Sequence, residues 1–238
     1  MTTILAVIIF ILGTTIGSFL SVVVYRVKKK EKSIAFSRSI CPSCKRKIQW
    51  NHLIPIFSWL YLRGKCAYCN KKISFHYFML ELITGAIFLC AFLKWNFLEC
   101  TALNINPEIF NYSINWEIFK VFIFYIIEFS FLVLIFFYDF LYKEIPDRFS
   151  LPAIAIALFG GFILGLQPFS ELLIGGAVIF AFFLLQFVLS KGTWIGGGDL
   201  RLGALMGVLL GWQQGLLALA ISYIIGGFFS LILLTKGK

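Results

Sequence analysis

The chain has 238 residues, 60% of them hydrophobic and only 13% charged, with a mean hydropathy of +0.92. Soluble domains carry about 25% charged residues, so this composition excludes an ordinary water-soluble fold and predicts a polytopic membrane protein. The net charge of +10 would suit nucleic acid, but the basic residues flank apolar runs. Membrane topology and anionic lipid account for them there, and no nucleic-acid partner is expected.

A bilayer core takes roughly 20 apolar residues of helix. Apolar runs predict an all-α protein with about seven transmembrane helices, at 4–24, 77–95, 118–138, 151–166, 172–189, 202–213 and 216–234. The first is not a secretory signal, because its basic run follows the apolar stretch and no small-residue cleavage site comes after it. The sixth is short and Gly-rich, which predicts a helix packed inside the bundle or joined to irregular backbone. The chain therefore divides into a first helix (1–25), a cytoplasmic loop (26–76) and a transmembrane bundle (77–238), with a polar outer loop at 96–116. No internal repeat is evident.

With the N-terminus outside, 19 of the 21 Lys and Arg residues fall on one face and only Lys94 and Lys120 on the other. The excess of Lys and Arg in cytoplasmic loops makes that face the cytoplasm.

The 26–76 insertion holds 13 of the basic residues and four of the six cysteines. Cys41-Pro42-Ser43-Cys44 and Cys66-Ala67-Tyr68-Cys69 are two C-x2-C knuckles, the spacing of a tetrahedral four-thiolate zinc site. Disulfides are disfavoured in the reducing cytoplasm. With four thiolates and no open position, the metal would be structural, tying down a loop too small to fold alone. Cys90 and Cys100 lie outside the pattern and read as packing residues or free thiols. His52 and His76 are not needed as ligands.

Three aspartates are present, Asp139, Asp147 and Asp199, each at the cytoplasmic end of a predicted span. Carboxylates at or below a membrane surface are costly and are functional candidates by default. Two of them sharing a proton can hydrolyse an amide, one activating water while its protonated partner polarises the carbonyl. Asp147 follows Pro146 at the position of an N-cap. Asp199, after Gly196, Gly197 and Gly198, could also cap a helix, or those glycines could admit a close backbone approach. Asp139 ends a helix, where the dipole opposes negative charge. From the residues alone an Asp139–Asp199 catalytic pair and an ion or proton site both stand. Glu81 and Glu128 also lie inside spans, as packing groups with no assigned role.

Gly17-Ser18-Phe19-Leu20-Ser21, the two knuckles with Gly64-Lys65-Cys66, Asp139 with Ile145-Pro146-Asp147, and Gly196-Gly197-Gly198-Asp199-Leu200-Arg201 occur in this order. Together they resemble the type IV prepilin peptidases, the leader peptidase/N-methyltransferase family. The resemblance covers about residues 13–215. It implies an aspartic endopeptidase of the bacterial inner membrane, acting on prepilin or pseudopilin precursors at the cytoplasmic face. Asp139 and Asp199 would be catalytic, with Asp147, Gly196 and Gly198 supporting the motifs and zinc on Cys41, Cys44, Cys66 and Cys69. It also implies N-methylation with S-adenosylmethionine by the first span and zinc loop, at positions it does not fix; Gly64 and Glu81 are candidates. Two departures are Ser21, where relatives usually carry Asn, and the end at Lys238, where many continue through a Pro-Phe-Gly-Pro stretch into a further span. The rival readings are an ion-coupled transporter, whose sites should lie near mid-bilayer, and a zinc-loop scaffold of a secretion assembly. A presenilin-like protease would share the aspartate elements but lacks the zinc loop.

Overall fold

The computed structural model describes residues 2–30, 38–103 and 106–235, in two compact units, Met1–Lys143 and Glu144–Lys238. In the first unit, helices α1 (Thr2–Lys28), α3 (Phe75–Lys94) and α4 (Trp116–Tyr142) pack together, with the short α2 (Phe57–Tyr61) in the loop between α1 and α3. A Cβ at Gly13 would lie 2.8 Å from the Phe88 Cβ, and one at Gly17 would lie 2.9 Å from the Glu81 Cα. The α1–α3 crossing thus uses small residues for close contact, as membrane helices do in the absence of a hydrophobic driving force. Ser74 caps α3 by accepting from the His76 amide, and Asn115 caps α4 by accepting from the Ile118 amide. At one end of these helices Phe88, Phe92, Phe97 and Phe122 form a buried cluster. Beside it Trp95 stacks on Tyr125 at 4.2 Å, an arrangement suited to the bilayer interface.

The segment expected as a plain polar loop at 96–116 instead contains an antiparallel hairpin, β1 (Leu98–Leu103) and β2 (Asn106–Ile114), with Leu98 opposite Ile114. This corrects the all-α expectation: the fold is mostly helical. The run Ile109, Phe110, Tyr112, Ile114 has strand-favouring residues, and an Asn- and Pro-containing stretch precedes it. Cys100 falls in β1, where its side chain lies outside the described residues.

The second unit comprises α5 (Asp147–Ile163), α6 (Phe169–Leu189) and α7 (Gly197–Thr235). Gly175 of α6 and Gly207 of α7 meet backbone to backbone: a Cβ on Gly175 would lie 2.3 Å from the Gly207 carbonyl oxygen. The 39-residue α7 is broken at Gly211, whose φ of 75° and ψ of 173° are open only to glycine. Gln167 donates to the Leu210 carbonyl at 3.3 Å, engaging an acceptor at the break. The irregular backbone expected beside the short sixth span is found here.

Among the described residues five helices, α1, α3, α4, α6 and α7, are long and apolar enough to cross a membrane. The sequence predicts seven; the difference is that 202–213 and 216–234 belong to one helix interrupted at Gly211, and that α5 has only 17 residues. At 1.5 Å per residue α5 spans about 26 Å, short of a ~30 Å hydrocarbon core.

Candidate functional site

The two knuckles are built alike. In the first, the Cys41 amide donates to the Arg46 carbonyl and the Lys45 amide to the Cys41 carbonyl; in the second, Cys66 donates to Lys71 and Asn70 to Cys66. Lys45 and Asn70, each just after a knuckle's second cysteine, both take positive φ, 59° and 54°. The bridges Ile40–Lys47 and Lys65–Lys72 close each turn at the same offset. The Arg46 guanidinium lies over the Tyr68 ring, joining one knuckle to the other. Gly64, at φ 66°, sits where a Cβ would meet the Trp59 ring at 2.9 Å.

The Sγ atoms of Cys41, Cys44, Cys66 and Cys69 all lie within 4.8 Å of one another, and Cys41 and Cys69 are 3.9 Å apart. Zinc–sulfur bonds of about 2.3 Å in a tetrahedron place sulfurs about 3.8 Å apart, so the donor set fits a metal ion. The Cys44 amide's hydrogen bond is the main reason the Cys41 thiol is pulled down to about 6. The Lys71 amide favours a Cys69 thiolate, but desolvation and the other three sulfurs outweigh it and push that thiol up to about 11. Four thiols this close cannot all ionise without a cation among them.

Next to the knuckles is a cavity of about 710 Å³, lined by α1, the loop and the start of α3. That size is within the ~300–1,000 Å³ of small-molecule sites. Glu81, 8% exposed, is the only acidic side chain among its described lining residues, against Arg26, Arg38, Lys47, Lys71 and Lys72. The Ile56 amide donates to Glu81 Oε2 at 2.7 Å, and Ser18 is within hydrogen-bonding range of the same carboxylate. A second cavity of about 160 Å³ shares Ser21, Tyr25, Ser74 and Tyr77 with the first and reaches Phe137 and Leu141 of α4.

The aspartates divide between the units. Asp139 lies in the last turn of α4, half-buried, and its carbonyl accepts from the amide of Lys143, the left-handed residue that ends the helix. Asp147 and Asp199 belong to the second unit. The cap position of α5 falls on Pro146, so Asp147 is the first helical residue; it forms an ion pair with Arg201 instead of capping. This corrects the N-cap reading of Asp147. Asp199, half-buried, is the third residue of α7, and its Oδ2 accepts from the Gly196 amide at 2.8 Å. That is the reciprocal half of a capping box, in which the third helical residue reaches back to the cap. A Cβ on Gly198 would lie 2.7 Å from the Ile145 Cβ, so glycine is required for the second aspartate loop to pack on the Ile145-Pro146-Asp147 turn. Gly196 and Gly197 meet no such contact. Sequence reasoning missed Arg201 as a partner and Ile56 as the Glu81 donor; the latter pair is 25 residues apart, with no local pattern to connect them. Glu128 is fully buried in α4, with both carboxyl oxygens lacking a hydrogen-bond partner among the described residues.

These features define a polytopic helical membrane protein with a four-cysteine loop and two aspartate motifs. Residues 11–95 match the bacterial peptidase A24 N-terminal domain, and residues 126–231 match the type IV leader peptidase family. A protein of Bacillus subtilis named prepilin leader peptidase/N-methyltransferase is 31% identical over 234 residues, covering 97% of this chain and 84% of that protein. One of the same name from Myxococcus xanthus is 30% identical, covering 96% of this chain; the chain spans only 63% of that relative's length. A third, from Vibrio cholerae, is 29% identical over 84% of this chain and 76% of the relative. No solved structure matches the chain. The chain belongs to the type IV leader peptidase family.

Proposed function

We propose that this chain is a membrane aspartic endopeptidase that removes the leader of type IV prepilins or pseudopilins at the cytoplasmic face of the inner membrane. The observation that supports the reading is the packing of Gly198 on Ile145, reinforced by the Asp147–Arg201 pair, which joins the Ile145-Pro146-Asp147 turn to the Gly196–Arg201 loop where α5 and α7 begin. Asp139 and Asp199 form the catalytic pair. One carboxylate takes a proton from water as it attacks the scissile carbonyl, while the other, protonated, donates to the carbonyl oxygen. Asp147, Gly196 and Gly198 shape the site, and Arg201 fixes Asp147. Asp139→Asn and Asp199→Asn should each lower cleavage of a prepilin in lipid nanodiscs by at least ~10³-fold while the melting temperature holds. Cleavage at the wild-type rate by either variant would overturn the assignment.

Cys41, Cys44, Cys66 and Cys69 hold one structural zinc ion. The chain crosses the membrane seven times, with the N-terminus outside, α5 as a span, and α7 as two spans meeting at Gly211. The names of the relatives and the 710 Å³ cavity support a second activity, N-methylation of the newly exposed N-terminus. The five basic residues suit the carboxylate of S-adenosylmethionine, and Tyr25, Trp59, Tyr68 and Tyr77 offer aromatic surface for its base. When bound, that cofactor supplies an electrophilic methyl group.

A further inference from the structure

An amine must be neutral to be methylated, whereas a peptide's α-amino group, with a pKa near 8, is largely an ammonium at neutral pH. Among the described residues that line the cavity, Glu81 carries the only carboxylate, so it is the group there that favours an ammonium. The Glu81 carboxylate is fixed from two sides, by the Ile56 amide at 2.7 Å and by Ser18 of α1. A carboxylate accepts about four hydrogen bonds, so capacity for a further donor remains.

The donor on the loop side is held at a cost. Ile56 has φ 65° and ψ −57°, a conformation that a β-branched residue rarely adopts. Backbone strain of this kind persists where the surroundings over-determine it and clusters at functional sites. The residue in this conformation is the one whose amide donates to Glu81. The smaller cavity lies between this one and the α4 turn that carries Asp139, sharing Tyr25 and Tyr77 with the larger and lined by Phe137 and Leu141, which flank Asp139 in sequence. The α4 turn that carries Asp139 thus borders a cavity that shares wall residues with the one lined by Glu81.

We propose that Glu81 is the catalytic carboxylate of the methyl-transfer site, receiving the N-terminal ammonium of the cleaved substrate and taking its proton. This rests on the methyltransferase reading above. The ammonium gives one proton to Glu81, and the freed nitrogen lone pair forms the N–CH3 bond. The methyl C–S bond breaks as it forms, and its electron pair stays on sulfur, leaving a thioether. Glu81 then returns the proton to solvent. Ser18 and Ile56 are positioning residues.

The test uses the full chain in nanodiscs, a synthetic peptide with a free apolar N-terminus, and its N-acetylated counterpart. Glu81→Gln keeps an oxygen for the Ile56 amide, so its melting temperature should match wild type, and calorimetry should still detect S-adenosylmethionine binding. Methyl transfer should fall by at least ~100-fold. The preference in binding affinity for the free over the acetylated peptide, expected to be at least ~10-fold in wild type from one buried charge contact, should disappear. Glu81→Asp should recover part of both. Methylation by Glu81→Gln within about threefold of wild type, or an unchanged peptide preference, would overturn the role of Glu81 and leave the methyltransferase reading standing. Absence of S-adenosylmethionine binding and methylation in the wild type would remove that reading and this inference together.

Discussion

A buried carboxyl without a partner costs about 1–3 kcal/mol relative to a satisfied one, and Glu128 is such a group among the described residues. Replacing it with an apolar side chain of similar length removes the cost and keeps the volume. Glu128→Met should therefore melt higher in detergent, by the equivalent of ~1–2 kcal/mol; a lower melting temperature would show that the carboxyl has a partner in the assembled protein. The Asp147–Arg201 pair behaves differently, because its side chains are 59% and 32% exposed. Solvent screening limits its contribution to stability to ~1 kcal/mol or less. Its consequence lies in geometry: Arg201 follows Asp199 by two residues and ties the start of α7 to the start of α5. Arg201→Ala should lower the kcat of leader cleavage by about tenfold or more with little change in melting, as expected when a supporting contact orients a catalytic group. The charge-reversed double variant, Asp147→Arg with Arg201→Asp, should recover part of the rate. At this scale the sequence shows Asp139, Asp147 and Asp199 by their scarcity and context. It does not show that Asp147 pairs with Arg201, since the cap reading and the ion-pair reading differ by one residue in where α5 begins.

Among elements, the apolar runs of α1, α3, α4 and α6 are legible to within a few residues, because ~20 consecutive apolar residues admit little else. What the runs do not show is how helices touch. The Gly175–Gly207 contact joins residues 32 apart, and no local periodicity singles out those two among 20 glycines. Gly211 is similar: its place in a Gly-rich run hints at irregularity, but the break is defined by its dihedrals and by Gln167. Gly211→Ala forces a Cβ to within 2.9 Å of the Gln167 Oε1 and into a glycine-only region. It should cost at least ~2 kcal/mol by thermal unfolding, whereas Gly197→Ala, with open space around it, should cost far less. The knuckles are the most legible element, since C-x2-C spacing already implies the local turn. Protons compete with metal for the thiolates, so zinc affinity should fall as pH falls and binding should release protons near neutral pH. Cys41, already down at about 6, should release few of them, and a pH-indicator titration of the metal-free protein would count the remainder. Any one of the four Cys→Ser variants should lower bound zinc in the purified protein.

For the whole molecule, the proposal of seven crossings draws its support from the second unit. Gly198 packs on Ile145 where α5 and α7 begin, while Gln167, in the turn after α5, reaches Leu210 just before the α7 break. One end of this unit therefore gathers 145–147 and 196–201, and the other gathers 165–168 and 210–212. An α7 that ran straight through a bilayer would be about 58 Å long, nearly twice the hydrocarbon core. A turn at Gly211 divides it into segments of 14 and 24 residues, with the polar Gln213 and Gln214 just after it. Both glutamines are exposed. In the orientation proposed above the Asp199 end faces the cytoplasm, which would put Gln213 outside. Gln213→Cys, in a Cys90→Ser, Cys100→Ser background, should react with a membrane-impermeant maleimide added to intact cells. Lys191→Cys in the same background should react only after permeabilisation. Five spans with an unbroken α7 would instead bury Gln213 within the bilayer and leave it unlabelled from either side. Labelling from outside would also bear on the aspartate loop: the 14-residue segment that begins at Gly197 spans about 21 Å, less than a ~30 Å hydrocarbon core, and in the proposed orientation it would leave Asp199 below the cytoplasmic surface.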